Sequence, residues 1–155
     1  MLTIVHSGQS GVERGAYRAA VAMGLPVAGY MPATGRDEFG TLPLIVREHL
    51  VTCGSLGARR AVLANIALAS AALVIVPDVT QPHRYTGIPT ALKAVRAAAI
   101  PLKLVDPRTV VDDIIQWART LPADGIRLMV HGPRATRWHE GEALGWKLVA
   151  TLAMH

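Results

Sequence analysis

The sequence is poor in cysteine and in aromatic residues. Cys53 is the only cysteine among 155 residues, which excludes a disulfide within the chain and a zinc site built from several cysteines. One phenylalanine and three tyrosines offer few rings on which nucleic-acid bases could stack. The arginines are scattered instead of forming one basic run, so a nucleic-acid-binding module is a disfavoured alternative function.

Long apolar runs are missing as well. The most apolar stretch, residues 61–77, is interrupted by Asn65 and Ser70, whereas a membrane-spanning helix needs roughly 18 or more apolar residues. The first eleven residues lack a basic region and become polar after Val5, unlike a secretory signal. We therefore expect a soluble, cytoplasmic protein without a membrane partner.

Charged residues are few, and their balance is positive. They make up 17% of the chain, against 51% hydrophobic residues, which predicts a large buried sheet and a subunit interface in a homo-oligomer, a dimer or a tetramer. The length fits one domain, residues 1–155. A net charge of +5 and a pI near 10.0 favour an anionic ligand.

Residues 4–14, I-V-H-S-G-Q-S-G-V-E-R, read as a strand, a glycine turn and the start of a helix. Gly8 and Gly11 can adopt backbone angles that other residues avoid, and a helix start offers N–H groups and the positive end of a dipole. The turn is therefore expected to hold an anion, most simply a phosphate. A tight turn without a ligand remains the alternative, because the pattern matches neither common phosphate-binding motif.

Strand and helix patterns alternate along the chain. Strands are predicted at residues 2–6, 25–30, 72–76, 101–105 and 126–130, and helices at residues 12–23, 58–70, 89–98, 108–120 and 140–153. This alternation predicts an α/β protein with a Rossmann-like, three-layer architecture: an open parallel sheet of about five strands with helices on both faces. Residues 31–56 show no regular pattern beyond a turn near 44–48, and form either a loop that covers the ligand site or a plain surface excursion.

The predicted topology places the ligand site. Ligands of open parallel sheets bind outside the carboxyl ends of the strands, where the strand order reverses. With the first strand central, that place falls between the loops at residues 7–11 and 77–87, and the first and fifth strands are not expected to be neighbours. Two glycine-bearing loops, each opening a helix, would suit a phosphorylated or otherwise anionic molecule.

Several titratable residues permit two interpretations. His6 and His131 end predicted strands and His83 lies in the second loop, but no metal-binding spacing is present, so a structural or solvent-facing role is favoured over a metal site. Asp78 could accept hydrogen bonds from ligand hydroxyls or merely cap its turn. Glu13 could pair with Arg14 or reach a neighbouring loop.

Several segments together resemble one family. Residues 7–14 resemble the S-G-G-Q-[ST]-G-[AV]-D-R opening of the putative molybdenum carrier proteins, a branch of the lysine decarboxylase-like, ligand-sensing Rossmann superfamily. Residues 31–43 resemble the C-P-K-G-R-x-x-E-D-G-x-I-P segment of that family. Arg60 and Asn65 fall where an R-T-x-x-N precedes the third strand, residues 86–90 occupy the place of a G-G-T-x-x-T turn, and residues 132–134 match a G-P-R after the last strand.

The resemblance implies a binding or carrier protein for an anionic small molecule, such as molybdenum cofactor or a nucleotide. The single cysteine and the histidine spacing lead us to expect no structural metal. The sequence departs from the family at Glu13, where an aspartate is usual, at Ile88-Pro89, which replaces a tighter glycine turn, and at Gly57, where an aromatic residue is expected. Together, the turn pattern and the resemblance indicate a ligand-binding set consisting of Ser7, Gly8, Gln9, Ser10, Gly11, Arg14, Arg60, Asp78, Thr86, Gly87, Thr90, Gly132 and Arg134.

The same superfamily contains nucleoside-monophosphate phosphoribohydrolases with a P-G-G-x-G-T-x-x-E motif. Residues 85–93 correspond to that motif, and Lys93 stands where its carboxylate would be. Glycosidic cleavage needs a carboxylate to activate water or stabilise the developing cation, which an ammonium group cannot do. We therefore predict no catalytic residue, and retain a nucleotide-processing hydrolase using Asp78, Glu13 or Glu38 as the alternative function.

Overall fold

The computed structural model describes residues 1–54, 57–122 and 124–155. Ser55 and Leu56, at the end of the predicted covering loop, lie outside the described residues. The elements follow in the order β1 (Leu2–Val5), α1 (Val12–Ala22), β2 (Val27–Ala28), β3 (Tyr30–Met31), β4 (Arg36–Asp37), β5 (Gly40–Thr41), α2 (Leu44–Arg47), β6 (Val51–Thr52), α3 (Ala58–Leu68), β7 (Ala71–Ile75), a 3-10 turn (Pro82–Arg84), α4 (Ile88–Ala97), β8 (Leu102–Val105), α5 (Val111–Arg119), β9 (Ile126–His131) and α6 (Gly141–Ala153).

A five-stranded parallel sheet lies at the centre, in the order β2-β1-β9-β7-β8. The predicted Rossmann-like architecture, with helices on both faces, is confirmed. The expectation that the first and fifth predicted strands would not be neighbours is wrong. These strands are β1 and β9, and they pair through Leu2 with Ile126 and Val5 with Met129. Central parallel strands are buried on both faces and read as continuous apolar runs, so their sequences do not reveal which strand is the neighbour.

The helices divide between the two faces of the sheet. β9 directs Leu128 and Val130 into a core shared with α1, α5 and α6, and directs Met129 into a second core beneath α3 and α4. After β9 the chain continues to α6 on one face of the sheet, and after β7 it continues to α4 on the other face. The strand order reverses at this point, so the crevice lies between β9 and β7. The sequence placed it between the first and third predicted strands, which correspond to β1 and β7 and are separated by β9.

Helices α1 and α6 pack with their backbones in close contact. A Cβ atom on Gly15 would lie 2.0 Å from the carbonyl oxygen of Glu142, and one on Gly145 would lie 2.5 Å from the carbonyl oxygen of Val12. Any side chain at either position would overlap the facing backbone. The two glycines thus set the separation of the helices, and α1 carries the first turn that borders the crevice.

The segment from residue 30 to residue 52 is more regular than predicted. β3 pairs in parallel with β6, and β4 forms an antiparallel hairpin with β5. Leu42, Val46 and Leu50 pack with Tyr17 and Met31 in a small core of their own. The expected turn near residue 44 is α2. Two-residue strands are too short to show a period in the sequence, which is why the pattern was missed.

Helices long and apolar enough to cross a bilayer are not found within the described ranges.

Candidate functional site

A cavity of about 410 Å³ opens at the carboxyl ends of β7 and β9. Its walls come from the turn after β1, the β4–β5 hairpin, the first turns of α3 and α4, and the segment that follows β9. The lining residues are Gln9, Glu13, Glu38, Ala58, Arg59, Val62, Tyr85, Thr86, Gly87, Thr90, His131, Gly132, Pro133, Arg134, Thr136 and Arg137.

The predicted site residues divide into two groups. Those that line the cavity are Gln9, Thr86, Gly87, Thr90, Gly132 and Arg134. Those that do not are Ser7, Gly8, Ser10, Gly11, Arg14, Arg60 and Asp78. The structure therefore brings the second glycine loop and the segment after β9 together, and leaves most of the first glycine turn behind the cavity wall. That the predicted residues bind a ligand stays a prediction.

The first glycine turn encloses a carboxylate of the chain itself. Oε2 of Glu13 accepts hydrogen bonds from the backbone N–H of Ser7 (2.9 Å), the hydroxyl of Ser7 (2.7 Å) and, more weakly, the N–H of Gln9 (3.4 Å). The Glu13 side chain is 2% exposed. The donors of the turn, which were expected to bind an external anion, thus bind a carboxylate from the first turn of α1.

His131 completes the environment of Glu13. Its Nδ1 lies 2.7 Å from Oε1 of Glu13, a contact that becomes possible because β1 and β9 are neighbours. Burial acts to raise the pKa of Glu13, but its hydrogen bond and electrostatic interaction with His131, together with the Ser7 bond, outweigh burial and lower the pKa to about 2. Glu13 is therefore an anion at neutral pH.

Two further residues, Arg14 on α1 and Gly11, hold the first turn against its neighbours. The guanidinium of Arg14 donates to the carbonyl of Gly8 (2.9 Å) and pairs with Asp37 (3.0 Å). Gly11 has a positive φ of 79°, and a Cβ there would lie 2.5 Å from the carbonyl oxygen of Pro133. Glu13 thus bonds to the loop before α1 and to His131 and does not pair with Arg14, which instead holds the β4–β5 hairpin.

The hairpin closes one side of the cavity. Glu38 accepts hydrogen bonds from the hydroxyl of Ser10 (2.5 Å), from the N–H of Thr136 (3.1 Å) and from the hydroxyl of Thr136. Burial tends to raise the pKa of Glu38, and these bonds together with the charge of Arg134 lower it. One carboxylate therefore joins the turns that follow β1 and β9. The hairpin covers part of the site, which favours the covering-loop interpretation for this stretch.

Arg60 and Asp78 lie away from the cavity. Arg60 borders a separate depression formed with Cys53 and Leu63. Asp78 accepts bonds from Thr80 and pairs with Arg108, which also binds Asp106. Asp78 thus ties the loops after β7 and β8 together, as the capping alternative describes.

Other cavity residues were outside the predicted set. Arg59 precedes Arg60 on the first turn of α3, and Arg137 follows Arg134 by three residues, but the family motifs point to Arg60 and Arg134. The sequence suggests Glu38 only as an acid of the alternative hydrolase. For His131 it favours a structural or solvent-facing role over a metal site, although the position directly before the G-P-R segment is the signal that could have identified this residue. In the described ranges, no group of three or more histidine, cysteine or acidic side chains is arranged to hold a metal ion.

The burial of His6 is expected to make the protein less stable in mild acid. The N–H of Gly8 donates to its Nδ1 (3.0 Å), and burial lowers its pKa from 6.5 to about 4. The unfolded chain then binds more protons than the folded one, so this contribution is complete above pH 6.5 and is lost as the pH falls toward 4. We expect about 3 kcal/mol of pH-dependent unfolding free energy in that window, measured by urea denaturation.

The matched variant for this test is His6→Asn. The asparagine oxygen can accept the Gly8 bond but does not titrate, so the pH dependence should flatten while folding is kept. An unchanged slope in the variant would show that another group is responsible.

A parallel sheet with helices on both faces and a cavity at the carboxyl ends of its central strands defines a Rossmann-like α/β protein. If β9, β1, β2, β7 and β8 are numbered 1 to 5, they lie across the sheet in the order 3-2-1-4-5. This is the order of a doubly wound sheet in which the chain begins at a different strand. The chain belongs to the circularly permutated YpsA SLOG family, whose model matches residues 4–152.

A solved structure shares the fold. The crystal structure of a putative molybdenum carrier protein from Syntrophus aciditrophicus superposes with a TM-score of 0.83 at 19% identity, covering 97% of this chain and 93% of that one. None of the curated proteins compared with the chain matches it. The family match and this structural likeness confirm the resemblance that the sequence motifs indicated.

Proposed function

We propose that the cavity binds an anionic small molecule that carries a phosphate or a similar oxyanion. The observation that carries the proposal is the convergence of Arg59, Arg134 and Arg137 on one cavity that also holds Gly87 at the start of α4. Guanidinium groups bind oxyanions through paired hydrogen bonds, and a helix N-terminus attracts negative charge.

The two carboxylates in the cavity do not cancel this positive field. Glu13 is held by Ser7 and His131, and Glu38 is held by Ser10 and Thr136. These hydrogen bonds stabilise the two negative charges inside the fold, and the charge of Arg134 also acts on Glu38. The three arginines nevertheless carry one charge more than the two carboxylates, and they extend from exposed positions. An approaching ligand therefore meets the arginines first.

The ligand that we propose is molybdenum cofactor-like or nucleotide-like. A volume of about 410 Å³ lies within the usual range of small-molecule sites, and the similar structure from Syntrophus aciditrophicus carries the name of a putative molybdenum carrier protein. Homo-oligomer formation, a cytoplasmic location and the lack of catalysis stay predictions. Lys93, exposed on α4, is not among the residues that line the cavity.

Arginine variants test the proposal. Thermal-shift and calorimetric titrations with nucleotides, molybdate and pterin phosphates should reveal binding to the unaltered protein. The double substitution Arg134→Gln and Arg137→Gln should weaken that binding by about tenfold or more, because charge-assisted bonds to the anion are lost.

The matched control is the double substitution Arg96→Gln and Arg119→Gln, which removes the same two charges from the exposed last turns of α4 and α5. It should bind like the unaltered protein. Equal weakening by this control would mean that only net charge matters, and failure of every anion to bind would overturn the proposal. Base release from a nucleotide would instead establish the hydrolase alternative.

A further inference from the structure

His131 presents an unusual nitrogen atom to the cavity. Its Nδ1 is engaged by Glu13 at 2.7 Å, whereas its Nε2 is buried and has no hydrogen-bond partner in the part of the chain that the structure describes. The side chain is only 9% exposed and lines the cavity. Nε2 lies 4.0 Å from the position that a Cβ atom on Gly87 would occupy, so it faces the start of α4.

The hydrogen bond to Glu13 fixes the tautomer of the imidazole. An ionised carboxylate only accepts hydrogen bonds, so the proton between the two residues belongs to Nδ1. Nε2 then carries either a lone pair or, when the ring is charged, a second proton. A buried nitrogen without a partner is costly, which makes Nε2 the atom that a ligand would satisfy.

We propose that Nε2 of His131 takes up a proton from solvent when an oxyanion binds at the start of α4, so that the cavity binds a tetrahedral dianion and a proton together. This inference rests on the proposed function. The proton forms an N–H that donates to an oxygen of the anion, and no covalent bond of the ligand changes. The charged ring would then lie between two negative groups, the carboxylate of Glu13 and the bound anion.

The surrounding charges allow this change. Glu13 approaches His131 from α1, and His6, at the end of the adjacent strand, interacts electrostatically with Glu13. The remaining titratable and charged groups of the cavity are Glu38 from the hairpin, Arg59 from α3, Tyr85 before α4, and Arg134 and Arg137 after β9. A charged ring is attracted by the carboxylate of Glu13 and repelled by the arginines, and a dianion that pairs with the arginines weakens that repulsion.

Isothermal titration calorimetry with inorganic sulfate tests the proposal. Sulfate remains a dianion near neutral pH, so any proton taken up comes to the protein and not to the ligand. Titrations at about pH 7, where histidine can exchange a proton, are performed in two buffers of different ionisation enthalpy and at constant ionic strength set by chloride. We expect sulfate binding to be accompanied by uptake of a substantial fraction of one proton.

Two substitutions of His131 separate its two nitrogens. In His131→Asn the amide can replace Nδ1 toward Glu13 but leaves nothing at Nε2, so affinity should fall about tenfold and proton uptake should disappear. In His131→Gln the amide can reach the position of Nε2 and should restore part of the affinity without proton uptake. His83→Asn, an exposed histidine in the 3-10 turn, is the matched control and should retain both.

The outcomes distinguish the inference from the proposed function. Sulfate binding without proton uptake, or uptake that persists in His131→Asn, would overturn the inference and leave anion binding intact. Failure of the unaltered protein to bind sulfate or any of the other anions would overturn both. Nitrogen-15 NMR of the histidine rings supplies an independent readout: the His131 ring should be protonated at Nδ1, and its Nε2 signal should move on sulfate addition while that of His83 does not.

Discussion

Replacement of Glu13 by leucine is expected to lower the free energy of unfolding at neutral pH by about 4 kcal/mol. The substitution leaves the N–H and hydroxyl of Ser7 and the Nδ1–H of His131 without their acceptor, in a region that water does not reach. An apolar side chain of similar size fills the space but satisfies none of these donors. Urea denaturation followed by circular dichroism measures the difference.

The matched control is Glu142→Leu, since Glu142 is a half-buried carboxylate in a surface pair with Arg18. That substitution should change the unfolding free energy by less than about 0.5 kcal/mol. Equal losses in the two variants would contradict the view that the buried hydrogen bonds of Glu13 matter.

Glu13 should also govern stability in acid. Its pKa in the folded protein is about 2, below the ordinary value of 4.5, so the folded state binds fewer protons than the unfolded chain between these values. The contribution is complete above pH 4.5 and is lost as the pH falls toward 2, at a cost of about 3 kcal/mol. Glu13→Gln, which keeps one acceptor oxygen but does not titrate, should flatten this part of the curve.

Gly15→Ala should destabilise the protein by about 3 kcal/mol. In an isolated helix the same substitution would stabilise by about 1 kcal/mol, because alanine is the better helix former. Here the new Cβ would lie 2.0 Å from the carbonyl oxygen of Glu142, and α6 would have to move away from α1. A lower free energy of unfolding for Gly15→Ala would therefore indicate the close contact of the two helices, and a higher one would indicate that helix propensity dominates.

Gly54→Ala is the control for this measurement. In the described part of the chain, nothing lies within 4 Å of the position that a Cβ atom on Gly54 would take, and its φ is not positive, so alanine should be neutral within about 0.5 kcal/mol. A stabilised Gly15→Ala variant would contradict the close contact of α1 and α6. Gly145→Ala tests the same contact from the other helix.

The sequence predicted the long elements well because each is marked by its own residues. The apolar periodicity of α1 and the run of β7 are local properties, and each predicted main element lies within a few residues of an observed one. The hairpin of β4 and β5 could not be predicted, since two residues show no period. It is held by long-range contacts such as Arg14 with Asp37, which only the folded chain brings together.

The candidate site was predicted in part for the same reason. The turn at Thr86 and Gly87 and the segment from Gly132 are recognisable locally and lie on the cavity. The pairing of Glu13 with His131 spans 118 residues and depends on β9 lying beside β1. The predicted topology, in which the first and fifth strands are not neighbours, keeps these two residues apart, so the contact could not be foreseen.

The position of β9 also has a consequence for synthesis. Ribosomes make the chain from its N-terminal side, so β1, β2, β7 and β8 are all made before Ile126–His131. Without β9, the strand order leaves two separate pairs of strands, in which the inner edges of β1 and β7 have no partner. Unpaired apolar edges promote aggregation of nascent chains. β9 covers both edges at once and carries His131, so neither the sheet nor the cavity is complete without this strand.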